Sequence, residues 1–182
     1  MLKLLRIALS NINTKYFERN ERDFSYELYH QIRILKLPKE TEVTCESSKK
    51  RFAMNDTILN NKLIKRCFFS NGINENSRIY RYPDLLIHEY DNMNQQLIAV
   101  EIKKRVDPTL IKRDLAKLVV YCKGRLNYKS GVLIIINPND ISRIIEMPDI
   151  REMLKLYPEV QIWIAKPNNP IEIICKETLN KY

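Results

Sequence analysis

Apolar residues recur every three or four positions over the first part of the chain, which predicts two helices. The first predicted helix covers about residues 2–17, with apolar positions at Leu2, Leu5, Leu9, Ile12 and Phe17. The second covers residues 21–36 and ends before Pro38, because proline cannot continue a helix. Its apolar stripe consists of Phe24, Leu28, Ile32 and Leu35.

Between residues 81 and 121 the pattern predicts two strands joined by a polar turn, followed by a helix. The first of these strands carries Pro83 and Asp84. In the second strand, Glu101 and Lys103 share one face because side chains alternate along a strand. The opposite face carries apolar residues, among them Ile102. Three charged groups are therefore expected on one side of a hairpin whose other side is apolar.

The helix after this hairpin is predicted from Pro108 to about Arg125, because Asp107 can cap it and proline favours the first helical position. An apolar row is expected to pack on the sheet: Ile111, Leu115, Leu118, Val119 and Cys122. A second row at spacings of three and four contains Leu110, Asp114, Lys117 and Tyr121.

Further strands are predicted at about residues 42–46, 131–137, 160–166 and 171–176, with a helical region over 140–156 that is broken near Pro148. The unbroken apolar run at 131–137 is typical of a buried strand. Residues 49–76 are polar and irregular. The order of these elements predicts an α/β fold with a mixed central sheet flanked by helices. The length of 182 residues predicts a single domain over residues 1–182.

The composition favours a reduced, cytoplasmic protein with a polyanionic partner. The net charge of +9 is typical of proteins that bind polyanions. The four cysteines lack the paired spacing of a zinc site, and the three glycines form no phosphate-binding loop. The first 16 residues are interrupted by charges, so we expect neither a signal peptide nor a membrane span.

Asp84 after a proline, then Glu101-x-Lys103 on the next strand, then an amphipathic helix, together resemble the core of the PD-(D/E)XK nuclease superfamily. The resemblance implies a restriction-endonuclease-like fold with an αβββαβ core. It covers about residues 24–137, and the last two strands would extend the sheet. The alternative for Glu101 and Lys103 is a solvent-facing ion pair on a sheet.

The resemblance also implies site residues. Asp84 and Glu101 would hold Mg²⁺, for which Mn²⁺ can substitute, together with the backbone carbonyl of Ile102. Lys103 would orient the attacking water, and Glu27 would act as a further ligand, directly or through water. The chemistry is consistent, because phosphodiester hydrolysis needs hard oxygen ligands for the metal and a cation beside the developing charge. For Glu27, a solvated helical glutamate paired with a lysine or arginine is the alternative.

Basic residues near the predicted site are the candidates for nucleic-acid binding. Lys117 and Tyr121 resemble a Gln-x-x-x-Tyr motif of some superfamily branches, with lysine in place of glutamine. The alternative for this helix is a surface pair of Asp114 and Lys117 beside a half-buried Tyr121. The complete set of candidates is Arg81, Lys104, Arg105, Lys112, Arg113, Lys117 and Tyr121.

The sequence thus predicts a magnesium-dependent nuclease, expected to be an endonuclease acting on DNA. Cleavage of both strands of a duplex would favour a homodimer or a larger nucleoprotein assembly. The first alternative is a non-cleaving nucleic-acid-binding module or assembly subunit on the same fold. The second is an interaction protein whose basic charge serves solubility.

Overall fold

The computed structural model describes residues 1–45, 57–68, 83–89, 96–124 and 126–181. The helices are α1 (Leu2–Ser10), α2 (Glu21–Ile34), α3 (Lys62–Phe68), α4 (Pro108–Lys123), α5 (Ser142–Ile145) and α6 (Pro148–Leu156). The strands are β1 (Thr41–Cys45), β2 (Leu85–Glu89), β3 (Gln96–Lys103), β4 (Ser130–Ile136), β5 (Val160–Ala165) and β6 (Glu172–Ile174). Short 3-10 helices cover Thr14–Phe17, Thr57–Asn60 and Leu179–Lys181.

The six strands form one open mixed sheet in the order β1-β2-β3-β4-β5-β6. The first three strands are antiparallel, β3, β4 and β5 run parallel, and β6 returns antiparallel to β5. The prediction of an α/β fold with a mixed sheet flanked by helices is confirmed. Because β3 and β4 run parallel, their carboxyl ends and the loops that follow them lie at the same edge of the sheet.

Each face of the sheet is covered by its own apolar core. On one face, α1 and α2 pack against alternate strand residues that include Val100, Ile102, Ile134 and Trp163. On the other, α3, α4 and α6 pack against Ala99, Leu133, Ile135 and Ile164. The alternation predicted for β3 therefore separates two cores, because its odd-numbered and even-numbered positions face opposite helices.

Helix α4 lies close against the sheet at Gly131 of β4. A Cβ atom built on Gly131 would lie 3.0 Å from Leu118 Cβ and 3.2 Å from Cys122 Sγ. The absence of a side chain at this position lets the helix backbone approach the strand. The helix begins as predicted: Asp107 accepts hydrogen bonds from the amides of Thr109 and Leu110, at 2.8 and 3.0 Å, and Pro108 is the first helical residue.

The first predicted helix is shorter than the sequence pattern indicated. It ends at Ser10, and a separate 3-10 helix begins at Thr14. Between them Asn13 is extended and its side chain accepts a hydrogen bond from the amide of Lys15. Asparagine favours such local bonds over helix continuation, which explains why the apolar spacing alone extended the prediction too far.

The described residues contain no helix that is both long and apolar enough to cross a membrane.

Candidate active site

Asp84 and Glu101 lie opposite each other where the adjacent strands β2 and β3 pair. Leu85 pairs with Val100 in the antiparallel register of β2 and β3. Asp84 directly precedes Leu85, so it lies opposite Glu101, the residue after Val100. The amide of Ile102 donates a hydrogen bond of 2.6 Å to Asp84 Oδ2. The two carboxylates that the sequence singled out are therefore brought together at the end of β2 and β3.

Helix α4 covers Glu101 with a lysine and an aspartate. Lys117 Nζ lies 2.6 Å from Glu101 Oε1 and 3.5 Å from Asp114 Oδ1. The other oxygen of Asp114 lies 3.4 Å from Lys103 Nζ. Glu101, Asp114 and Lys117 are all buried. Buried charges are usually paired because an isolated one is costly to desolvate, and here Asp114 joins the two lysines.

Glu21, the first residue of α2, closes the cluster from the other end. Its Oε2 lies 3.7 Å from Lys103 Nζ. Its Oε1 accepts a hydrogen bond of 2.9 Å from the amide of Lys104. This carboxylate therefore fixes both the side chain of Lys103 and the backbone that follows it. We call the six residues Glu21, Asp84, Glu101, Lys103, Asp114 and Lys117 the charged cluster.

Burial raises the pKa of both strand carboxylates. The pKa of Asp84 lies above its ordinary value because of desolvation, which Lys103 and the Ile102 amide only partly offset. The pKa of Glu101 lies well above its ordinary value for the same reason, against the lowering effect of Lys117. Four carboxylates face two ammonium groups in the charged cluster, so the local charge is negative when all are ionised. An additional cation at Asp84 and Glu101 would relieve this imbalance.

Lys103 shows the opposite balance. Burial lowers the pKa of its ammonium, but the surrounding carboxylates, with Asp114 first, raise it above the ordinary value overall. The side chain of Lys103 is 16% exposed. Lys103 therefore stays protonated at neutral pH. Its ammonium can attract an anion or stabilise negative charge, but it cannot act as a base.

Glu27 does not join the charged cluster, which corrects its assignment from the sequence. Glu27 Oε1 accepts a hydrogen bond of 2.8 Å from Gln31 Nε2 on the same helix. It precedes Leu28 by one residue, so it points about 100° away from the buried side of α2. Glu21 precedes Leu28 by seven residues, about two turns, and faces the sheet. The seven-residue spacing from Leu28 is the signal in the sequence that could have identified Glu21.

Two of the proposed nucleic-acid contacts are buried. Tyr121 is 2% exposed and packs against Tyr128, with ring centroids 5.7 Å apart. Lys117 is inside the charged cluster and does not lie at its entrance. Tyr121 is therefore withdrawn as a nucleic-acid contact, and Lys117 is assigned to the charged cluster. The Asp114–Lys117 pair expected as the alternative does form, but it is buried.

The remaining basic candidates lie in different surroundings. Arg105 is exposed after β3, and Lys104 Nζ donates to the carbonyl of Arg19 at 2.8 Å. Lys112 Nζ lies 3.6 Å from Asp149 Oδ2, and Arg113 is half-buried. Arg81 lies outside the described residues. Among the candidates that the structure describes, those at the end of β3 lie next to the charged cluster.

Asp84 and Glu101 fit the ligand chemistry of a magnesium-like ion. Such ions commonly use one or two carboxylates and keep several waters. In the part of the chain that the structure describes, no group of three or more His, Cys, Asp or Glu side chains is arranged to hold a metal. A metal here would therefore use the two strand carboxylates, the Ile102 carbonyl predicted from the sequence, and water.

Comparison of the chain with protein-family models, with curated proteins and with solved structures gave no match.

Proposed function

We propose that the chain is a metal-dependent nuclease that hydrolyses phosphodiester bonds in DNA, built on a restriction-endonuclease-like fold. The observation that carries the proposal is the apposition of Asp84, directly before β2, and Glu101 in β3, with Lys103 two residues further on the same face of β3. The element order α2, β1, β2, β3, α4, β4 supports the αβββαβ core, with α3 inserted between β1 and β2.

The raised pKa values of Asp84 and Glu101 support a bound cation. Two desolvated carboxylates without enough positive charge nearby are unfavourable in the ionised form. A Mg²⁺ ion, when bound, would supply a Lewis acid for the phosphoryl oxygen and lower the pKa of a bound water. Asp84 would be oriented for this ligation by the hydrogen bond from the Ile102 amide.

Lys103 would act as a cation and not as a base. Its raised pKa keeps the ammonium charged at neutral pH. Glu21 and Asp114 hold this ammonium from two sides, at 3.7 and 3.4 Å. A fixed ammonium beside a phosphate stabilises the charge that develops in the transition state, since its position costs no reorganisation. Glu21 and Asp114 would therefore be positioning residues for Lys103.

A second candidate function is favoured by the close contact of Lys117 with Glu101. The ammonium lies 2.6 Å from Glu101 Oε1 and already neutralises that carboxylate in part. With Lys117 balancing Glu101 inside the cluster, the site would need no metal, and nucleic acid would be bound by exposed basic residues outside it. In that case the charged cluster would be structural, and the protein would be a non-cleaving nucleic-acid-binding module or assembly subunit.

Cleavage assays with Mg²⁺ and Mn²⁺ on linear and circular DNA would separate the two functions. We expect Asp84→Asn, Glu101→Gln and Lys103→Ala each to abolish cleavage, because each removes a ligand or the cation at the phosphate. Glu27→Gln is the matched control, a carboxylate on α2 outside the charged cluster, and should cut at the wild-type rate. Mn²⁺ should also raise the Tm of the wild type and leave that of Glu101→Gln nearly unchanged. Absence of both cleavage and Mn²⁺ stabilisation in the wild type would rule out the nuclease and favour the binding module.

A further inference from the structure

Three arginines around α2 each lie over the ring of a tyrosine. The distances from guanidinium carbon to ring centroid are 5.3 Å for Arg19 over Tyr16, 5.4 Å for Arg22 over Tyr26 and 5.6 Å for Arg33 over Tyr29. All three arginines are exposed. None of them was singled out in the sequence, because exposed arginines on a helix are ordinarily solvated. We call these six residues the arginine–tyrosine row.

Hydrogen bonds add to two of the stacked contacts. Arg22 donates from Nε and Nη2 to the Tyr26 hydroxyl at 3.2 and 3.1 Å. Arg33 donates from Nη1 to the Tyr29 hydroxyl at 2.9 Å. A guanidinium held by both ring and hydroxyl has already lost part of its rotamer freedom, so a further ligand would order it at lower cost.

The four residues of the row that belong to α2 follow one side of the helix. Arg22, Tyr26, Tyr29 and Arg33 are separated by four, three and four residues, which places them on the same stripe. From Arg22 to Arg33 the stripe is roughly 16 Å long at the α-helical rise. One strand of duplex DNA presents a phosphate about every 3.4 Å along the axis, so a row of this length can contact more than one phosphate.

Additional cations continue the row at both ends. Beyond the C-terminal end of α2, a cavity of about 420 Å³ is lined by Arg33, Lys36 and Lys39, among other residues, with Glu42 as an acidic member of the lining. At the other end, Lys15 Nζ lies 5.1 Å from the centroid of the Tyr16 ring. Asp23 offsets some of this charge, at 3.8 Å from Arg19. Both side chains of that pair are exposed, so it is weak.

From this row and cavity we infer that the outer side of α2 binds the phosphate backbone of duplex DNA. Guanidinium groups match phosphate geometry and carry no sequence preference when they contact the backbone alone. The tyrosine rings are engaged by the arginines, so the surface offers cations in preference to open ring faces for stacking bases. A straight row of fixed cations therefore suits a regular duplex.

One end of the row lies close to the charged cluster. Lys104 Nζ donates to the carbonyl of Arg19, which is the first arginine of the row in the sequence. Glu21, two residues later, contacts Lys103. The inference rests on the proposed function in one respect: a duplex held along α2 would be presented to the cluster. Binding by the row does not require cleavage, so the two can be tested separately.

The test is duplex binding by fluorescence anisotropy over a salt titration, with the triple variant Arg19→Gln, Arg22→Gln and Arg33→Gln. Each lost phosphate contact should lower the slope of log affinity against log salt by about 0.9, so we expect a decrease of about 2–3 and an affinity loss of at least about tenfold at moderate salt. The matched control removes three exposed lysines on other elements, Lys129, Lys155 and Lys176, and should change affinity by less than about threefold.

Melting curves will show whether the triple variant is folded. If its Tm is clearly lower, the double variant Arg22→Gln and Arg33→Gln replaces it, with an expected slope decrease of about 1.8. Equal losses in the arginine variant and the lysine control would overturn the inference, since net charge alone would then explain binding. The inference would also be overturned if the wild type did not bind duplex DNA. A parallel measurement with vesicles containing phosphatidylserine gives a third contradicting outcome: the arginine variant loses its binding to the vesicles but keeps its binding to DNA.

Parallel cleavage assays keep the two proposals distinct. Loss of duplex binding in the arginine variant, with cleavage absent in every protein, would support the α2 surface and contradict the nuclease. Unchanged binding in the arginine variant, with cleavage abolished by Glu101→Gln, would overturn the α2 surface and support the nuclease.

Discussion

The two faces of β3 meet different chemistry although they belong to one strand. Val100 and Ile102 face α1 and α2 in a core made of apolar side chains. Glu101 and Lys103 face α4, where Asp114 and Lys117 meet them within an otherwise apolar core. Both environments bury most of the strand, but the second contains ionisable groups.

This difference raises the question of what the charges on the second face contribute to stability. Replacing a buried ion pair with apolar residues of similar volume is often neutral or stabilising, so charges are not needed to hold α4 on the sheet. The first face demonstrates that this sheet can be packed with apolar residues alone. The charged cluster is therefore expected to contribute less stability than apolar residues of similar volume would.

The largest effect should come from breaking the buried ion pair. Lys117→Met keeps the length of the side chain but removes the ammonium beside Glu101 and leaves Asp114 with Lys103 alone. We expect a loss of about 3–5 kcal/mol in the free energy of unfolding, measured by urea denaturation at neutral pH. As a control on the other face, Ile134→Val should cost only about 0.5–1.5 kcal/mol.

A double variant sharpens this comparison. Glu101→Leu combined with Lys117→Met converts the second face toward the chemistry of the first, and it should recover much of the stability lost in the single variant. A double variant as unstable as Lys117→Met alone would mean that the charges themselves hold α4 in place.

The local patterns of β3 and α4 were sufficient to predict much of this arrangement. Strand alternation placed Glu101 and Lys103 on one face, and the Asp107–Pro108 pair marked the start of α4. Such features depend on neighbours within a few residues. The mixed α/β sheet could be predicted as well, because each strand and helix is recognisable from its own local pattern and their order along the chain indicates the fold class.

The rest depends on contacts between residues distant in the chain. Lysine is rarely buried, and Lys117 is buried only because Glu101 from the sheet and Asp114 from its own helix both meet its ammonium. Glu21 joins the cluster because α2 begins at the end of β3, a tertiary relation. Tyr121 was assigned to the surface because the spacing of residues along α4 does not show that Tyr128 packs against its ring.

A smaller effect is expected where α4 touches the sheet. Gly131→Ala would add a Cβ only 3.0 Å from Leu118 Cβ, an atom fixed to the helix backbone. We expect a loss of about 1–3 kcal/mol from overpacking, measured by urea denaturation. The displacement of α4 should also disturb the contacts of Asp114 and Lys117, so any cleavage activity should fall more than the stability loss alone would predict. Unchanged stability would show that α4 can move without cost.

The smallest effect concerns Asp84 and depends on pH. Its pKa is raised in the folded state, chiefly by desolvation. Below the ordinary pKa both folded and unfolded chains carry the proton, and its contribution to stability is complete. As pH rises, the unfolded chain loses the proton first, so this contribution is lost up to and through the raised pKa.

Asp84→Asn cannot ionise and keeps an oxygen for the Ile102 amide. In EDTA, its Tm should therefore match that of the wild type in acid and exceed it at neutral pH by about 1–4 °C, corresponding to about 0.5–1 kcal/mol. Addition of Mn²⁺ should narrow this gap by stabilising the wild type alone. A gap that is independent of pH would mean that Asp84 is ionised without cost, and the buried carboxylate would then resemble an ordinary surface group more than a metal ligand.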